Sequence, residues 1–243
     1  MRMRSTVPLL LLLLAASLVA AEPPKRILFI GNSYTGGIRS TLESFVKASP
    51  HQGTQLEFIT PGGKDLLFHA DQKKTIERIR GGKWDIVVLQ DQSQTPAVMP
   101  ARFLQGARKL HEIIAKSGAR TAYYQTWGRR DGDKRNMKLF PTYEKMQDAL
   151  TASYTKAAER DKSILVPVGQ AWRSVRDQHP SLGKELYRED GSHPSAKGAY
   201  LATICFYVCL FNADPEKVEY SSKLSVDVAR TLRAAVTDTL KQQ

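Results

Sequence analysis

The chain has 243 residues, 42% of them hydrophobic and 25% charged, with a formal net charge of +12. That composition supplies the apolar surface for one well-buried domain and excludes a disordered chain. The lysines and arginines are scattered along several segments without the interleaved aromatics of single-strand binders, so no nucleic-acid partner is expected.

In chain order, Met1 to Arg4 is charged and Val7 to Ala21 is apolar and leucine-rich, ending in Val19-Ala20-Ala21. This pattern predicts a signal peptide over residues 1–21, cleaved near Ala21, with a single mature domain over 22–243 that is secreted or periplasmic. The apolar run falls short of the roughly 20 residues that span a bilayer, so no stable membrane insertion is expected after cleavage. Arg2 and Arg4 leave with the leader, and the balance falls from +12 to +10. Such a surface favours acidic partners (anionic polysaccharide, lipid headgroups or nucleic acid), although a solvated basic surface has the same signature and is the preferred reading.

Five short apolar runs then read as buried strands, each closed by glycine or polar residues: Ile27–Ile30, Leu56–Ile59, Asp85–Leu89, Arg120–Tyr124 and Ser163–Val168. Helical patterns lie between and after them, over Ile38–Ala48, Leu66–Ile79, Ala101–Lys116, Tyr143–Ala158, Ala171–Gln178, Pro194–Phe211 and Val226–Leu240. Strand–helix alternation implies an α/β domain with a five-stranded parallel sheet covered on both faces. The two cysteines, Cys205 and Cys209, stand four apart in an apolar helix and read as small buried hydrophobes rather than a disulfide.

Ligands in open α/β sheets bind at the carboxyl ends of the strands. Gly31-Asn32-Ser33, Pro61-Gly62-Gly63, Gln90-Asp91-Gln92 and Trp127-Gly128 all follow predicted strands and should share that rim. Ser33 is the candidate nucleophile. His193 is the candidate general base, with Asp190 three residues earlier to orient its ring. Pro194 predicts a helix starting directly after the histidine. The backbone amides of Ser33 and Gly63, with a side-chain amide from Gln90, Gln92 or Gln94, are candidate oxyanion donors. His51, His69, His111 and His179 read as surface or packing residues, and no histidine pair has metal-ligand spacing. A Gly-x-Ser-x-Gly elbow is absent, because Thr35 stands where its second glycine would be.

These segments resemble the SGNH hydrolases, also called the GDSL family, over nearly the whole mature chain. Ile27 to Ser33 looks like the family's first block, Gly63 like the second-block glycine, and Asp190-Gly191-Ser192-His193 like the fifth block. The resemblance implies a three-layer, flavodoxin-like fold and ester or acyl hydrolysis without a cofactor or metal. It also implies a small-molecule or polysaccharide ester as substrate. Two departures stand out. Asn32 replaces the usual first-block aspartate, and Leu89 to Gln94 lacks the third-block asparagine, for which Gln92 is the expected substitute. Trp127, Arg129 and Arg130 are expected to line the substrate cleft. A non-catalytic binder of acidic glycans and an acyltransferase are the alternative readings.

Overall fold

The computed structural model describes residues 22–242. Five parallel strands, β1 (Arg26–Ile30), β2 (Gln55–Ile59), β3 (Ile86–Leu89), β4 (Arg120–Tyr124) and β5 (Ile164–Val166), form one sheet in the order β2-β1-β3-β4-β5. The helices are α1 (Ser33–Lys47), α2 (Leu66–Asp71), α3 (Lys73–Gly81), α4 (Thr95–Val98) and α5 (Pro100–Lys116). They continue with α6 (Tyr143–Asp161), α7 (Val168–Gln178), α8 (Pro180–Glu185), α9 (Ala196–Phe211) and α10 (Val226–Lys241).

Side chains alternate across a strand, so a run apolar at every position must be covered twice. Ile27 and Phe29 of β1, with Ile86 and Val88 of β3, pack against α1, α7, α9 and α10. Leu28 and Ile30, with Val87 and Leu89, pack against α2, α3, α5 and α6. The result is the three-layer α/β sandwich expected. Helix α9 is apolar on nearly every face because it lies inside its layer, against α1, α7 and α10.

Several elements differ from the sequence reading, among them α1, which starts at Ser33 and not at Ile38. The helix expected over Leu66–Ile79 is broken at Gln72, which is extended at ψ 113°. The break frees α2 to lie close on α5, where a Cβ at Gly106 would come within 2.5 Å of the Leu67 nitrogen. The last long apolar helix starts at Ala196, capped by the Ser195 hydroxyl, and not at Pro194, which forms an isolated antiparallel bridge with Tyr187. Helices α4 and α8 were not expected, being too short to show a period.

The chain leaves β1 for β2 on one side and returns to β3 on the other. That reversal opens a crevice at the carboxyl ends of β1 and β3, the usual ligand position in such sheets. Ser33 follows β1 by three residues and Gln92 follows β3 by three.

Candidate active site

The segment carrying the candidate nucleophile, Ser33, is a helix cap built on buried side chains. Asn32 is extended, at φ −143°, and its Oδ1 accepts from the Tyr34 amide at 3.1 Å, so Ser33 becomes the first residue of α1. Amides in a helix's first turn have no partner within the helix, so the Ser33 N–H is placed to bind an anion. The Asn32 Nδ2 donates to the Lys64 carbonyl at 2.9 Å and ties this cap to the loop after β2. Gln90, fully buried, supports the segment from below: its Oε1 accepts from the Asn32 amide at 3.0 Å and the Thr35 hydroxyl at 2.8 Å. Gly31 is required by this close approach, since a Cβ would lie 2.4 Å from Thr35 Oγ1 and 2.5 Å from Gln90 Oε1.

His69 is part of the same support. It is fully buried, and its Nε2 lies 2.8 Å from the Gly31 carbonyl. A carbonyl only accepts, so Nε2 carries the proton. Burial lowers its pKa and favours the neutral ring. The surface-or-packing reading of His69 is therefore corrected to a hydrogen-bonded brace under the nucleophile loop.

The candidate base, His193, lies on the loop between α8 and α9. Its two ends are closed by Arg188 N donating to the His193 carbonyl and Ser195 N to the Leu186 carbonyl, both at 2.9 Å. Gly191 takes φ +64° at the turn, a conformation that other residues rarely adopt. Asp190 Oδ1 accepts from the amides of Ser192 at 2.8 Å and His193 at 2.9 Å, and its Oδ2 stands 2.6 Å from His193 Nδ1. A carboxylate accepting at Nδ1 leaves the Nε2 lone pair free. His193 Nε2 lies 2.9 Å from Ser33 Oγ, across 160 residues of sequence. Burial acts to raise the Asp190 pKa, but the hydrogen bonds from His193 and the two amides outweigh it, and the carboxyl stays below its ordinary value.

A second link runs beside the first. The Tyr34 hydroxyl lies 2.7 Å from Ser192 Oγ, so the neighbour of the nucleophile grips the neighbour of the base. The Tyr34 ring stacks on Trp127 at 4.9 Å, Trp127 stacks on Trp172 at 3.9 Å, and the Trp127 indole donates to the Ser192 carbonyl at 3.0 Å. Trp127 is fully buried, which corrects the expectation that it lines the cleft; it holds the histidine loop from behind. Nothing in the sequence pattern distinguishes an inward tryptophan from an outward one at a strand end.

Arg129 is partly exposed, with Nη1 3.1 Å from Asp133 Oδ1 and a buried Nε that has no partner. Asp133 also accepts from Gln94 Nε2 at 2.7 Å, which ties the loops after β3 and β4 together. Arg129, Arg130, Asp131, Gly132, Lys134 and Glu189 to Gly191 line a hollow of about 190 Å³ beside the base.

The three glutamines have separate tasks. Gln90 supports the nucleophile loop and Gln94 holds Asp133, as above. Gln92 is partly exposed, and its Oε1 accepts from the Gln94 amide at 2.7 Å and the Thr95 amide at 3.3 Å. These bonds fix which end of the amide turns outward, and Nε2 makes only a long contact, 3.3 Å, to Ser93 Oγ. Gly63 is exposed at φ +69°, one residue before the Lys64 carbonyl that Asn32 holds.

Asp91, beneath this loop, accepts from the Leu66 and Gln92 amides, and burial pushes its pKa up to about 7. A carboxyl raised on folding stabilises the fold fully below its unfolded value of about 3.9 and loses that contribution as pH rises through the folded value. Between about pH 5 and about pH 8 the melting temperature of Asp91→Asn should therefore decline less steeply than that of the wild type. Parallel slopes in thermal melts would contradict this assignment.

Sequence comparison finds no matching family model and no matching curated protein. Solved structures do match. A protein from Slackia heliotrinireducens assigned to the SGNH hydrolases is 26% identical, with a TM-score of 0.65, over 76% of this chain and 97% of that one. A DUF4886 family protein from Bacteroides uniformis ATCC 8492 has a TM-score of 0.71 at 18% identity, over 89% of this chain and 94% of that one. The acetyl xylan esterase AlAXEase has a TM-score of 0.60 at 12% identity, over 75% and 98%. The last two likenesses speak for the fold alone. Taken with the strand order and the blocks that close β1 and precede α9, the likeness to the Slackia protein supports an SGNH/GDSL-type hydrolase family for this chain.

Proposed function

We propose that the chain is an exported serine esterase that removes a small acyl group, an acetyl in first place, from a carbohydrate ester. The observation that carries this reading is the continuous line Ser33 Oγ, His193 Nε2, His193 Nδ1, Asp190 Oδ2, with contacts of 2.9 Å and 2.6 Å. His193 takes the Ser33 proton as Oγ attacks the acyl carbonyl, and the imidazolium formed is stabilised by the Asp190 carboxylate. The oxyanion is held by the amides of Ser33 and Gly63 and by Gln92 Nε2. Collapse releases the alcohol, protonated by His193. Water, deprotonated by His193, then attacks the acyl-enzyme and releases the acid and a free Ser33.

Among the glutamines, Gln92 is the choice because Gln90 and Gln94 are spent on neighbouring side chains. Gln92→Ala should lower kcat about 10²–10³-fold with little change in KM, the signature of a donor that acts on the developing charge. A larger loss from Gln94→Ala than from Gln92→Ala in steady-state assays would reassign the donor. Arg129, partly exposed at the hollow beside His193, is the residue of this site that would meet the alcohol portion of the substrate.

The assembled triad favours catalysis over a binding role, since a binder gains nothing from aligning a hydroxyl with an oriented imidazole. The acetyl assignment is supported by an acetyl xylan esterase among the proteins that share the fold. It is tested by acid release from acetylated sugars and polysaccharides beside p-nitrophenyl esters of increasing length. Preference for long acyl chains would overturn it, and formation of a new ester with added alcohol in place of free acid would make the protein an acyltransferase. Export is tested by the N-terminal sequence of the processed protein, expected to begin near Glu22.

A further inference from the structure

The loop from β4 to α6 carries a second feature. Among the described residues, four large hydrophobic side chains are exposed; Met137 (46%) and Leu139 (60%) stand on this loop, and Met99 (49%) lies between α4 and α5, one short helix beyond Gln94. Met137 and Leu139 are not simply loose. The Asp133 amide donates to the Phe140 carbonyl at 2.9 Å, and the Leu139 and Phe140 amides both donate to the Asn136 carbonyl at 2.9 Å. Asn136 Nδ2 donates to Asp133 Oδ2 at 2.8 Å, and Phe140 is buried in the core. The turn is built on a buried carboxylate and a buried ring, and it holds the two apolar side chains outward.

Cations flank them. Arg129 pairs with Asp133 and Arg130 with Asp131, so the acids of the loop are spent within it. Lys134, Arg135 and Lys138 are exposed, and none of them joins an ion pair among the described residues. The same loop reaches the base: the Arg130 amide donates to the Gly191 carbonyl at 2.9 Å.

Apolar tips between unpaired cations, held rigidly on a loop whose own acids are paired, suit the boundary of an anionic bilayer. There the alkyl side chains enter the acyl edge while the cations meet phosphates. A second copy of the chain would bring the same cations against each other, and an acidic glycan would leave Met137 and Leu139 in water. We propose that this loop is a lipid-docking element, in which Met137 and Leu139 enter the headgroup layer of an anionic membrane and Lys134, Arg135 and Lys138 contact its phosphates. The protein then lies on the surface without spanning it; among the described residues no helix is long and apolar enough to cross a membrane. Given the esterase reading, docking presents the cleft beside His193 to esters held at that surface.

The test is co-sedimentation of the processed protein with vesicles of phosphatidylcholine alone and of equimolar phosphatidylcholine and phosphatidylglycerol. Three cations near such a surface predict about 100-fold tighter binding to the anionic vesicles, falling with added salt. Met137→Ser with Leu139→Ser should weaken that binding at least tenfold. Lys134→Ser with Arg135→Ser and Lys138→Ser should abolish the preference for phosphatidylglycerol. Circular dichroism checks that both variants remain folded. Ser33→Ala should bind as the wild type does, so docking is read independently of hydrolysis. Equal binding of all variants, as an uncleaved leader would give, overturns the proposal. So does retention on alginate that needs the three cations but not Met137 and Leu139, which would assign the loop to an acidic polysaccharide.

Discussion

Ser33→Ala and His193→Ala should each reduce kcat for p-nitrophenyl acetate by about 10⁶-fold, and the double variant should lose no more than either alone. The reason is geometric. Ser33 Oγ and His193 Nε2, 2.9 Å apart, form one proton-transfer unit, and neither half works without the other. The fold should survive both changes. Ser33 Oγ bonds only to His193, and the cap that starts α1 belongs to Asn32. A change in stability within about 0.5 kcal/mol is therefore expected for Ser33→Ala. A covalent phosphonate probe should label the wild type and not this variant. Residual turnover above water is expected, because backbone donors still meet the oxyanion. Equal slow turnover by the wild type and both variants would remove the catalytic reading.

The strands were legible because each is a short apolar run with a glycine or polar residue at its end, and a parallel sheet covered twice demands such runs. The meeting of Ser33, His193 and Asp190 was legible only in combination: a serine past a strand is commonly a plain cap, but paired with an aspartate three residues before a histidine it suggests one site, and the three side chains do come together. What escaped is what depends on tertiary contact. Gln72 carries no glycine or proline signal, yet the helix breaks there because α2 settles on α5 at Gly106. His69 looks like any histidine in a helical pattern, and only the placement of α2 beneath Gly31 turns it into a brace. Trp127 was placed on the right rim and the wrong side of it, because strand-end position says nothing about which way an indole turns. Tyr34 and Ser192 flank the catalytic residues in sequence, but their hydroxyl contact exists only once the chain is folded.

Asp190→Asn should lower kcat about 10⁴-fold while leaving the histidine loop in place. The substituted amide keeps one oxygen, which can still accept from the Ser192 and His193 amides, as Oδ1 does in the wild type. Its NH₂ group then faces His193 Nδ1, where the carboxylate Oδ2 accepts at 2.6 Å. A donor at that position makes Nδ1 the acceptor and puts the ring proton on Nε2, facing Ser33, where it cannot take another. Asp190→Ala differs in kind: it strips both loop amides of their acceptor and should loosen the loop as well as disorient the ring. The acidic limb carries a further sign. Because the Asp190 carboxyl is held below its ordinary value on folding, its stabilising contribution is present above the unfolded pKa of about 3.9 and lost only as pH falls through the lower folded value. The wild-type loop should therefore stay intact into mildly acidic solution, and Asp190→Asn should lose that dependence. Activity of Asp190→Asn within tenfold of the wild type would show that the ring is oriented by something other than this carboxylate, with the Tyr34 to Ser192 contact the next group to remove.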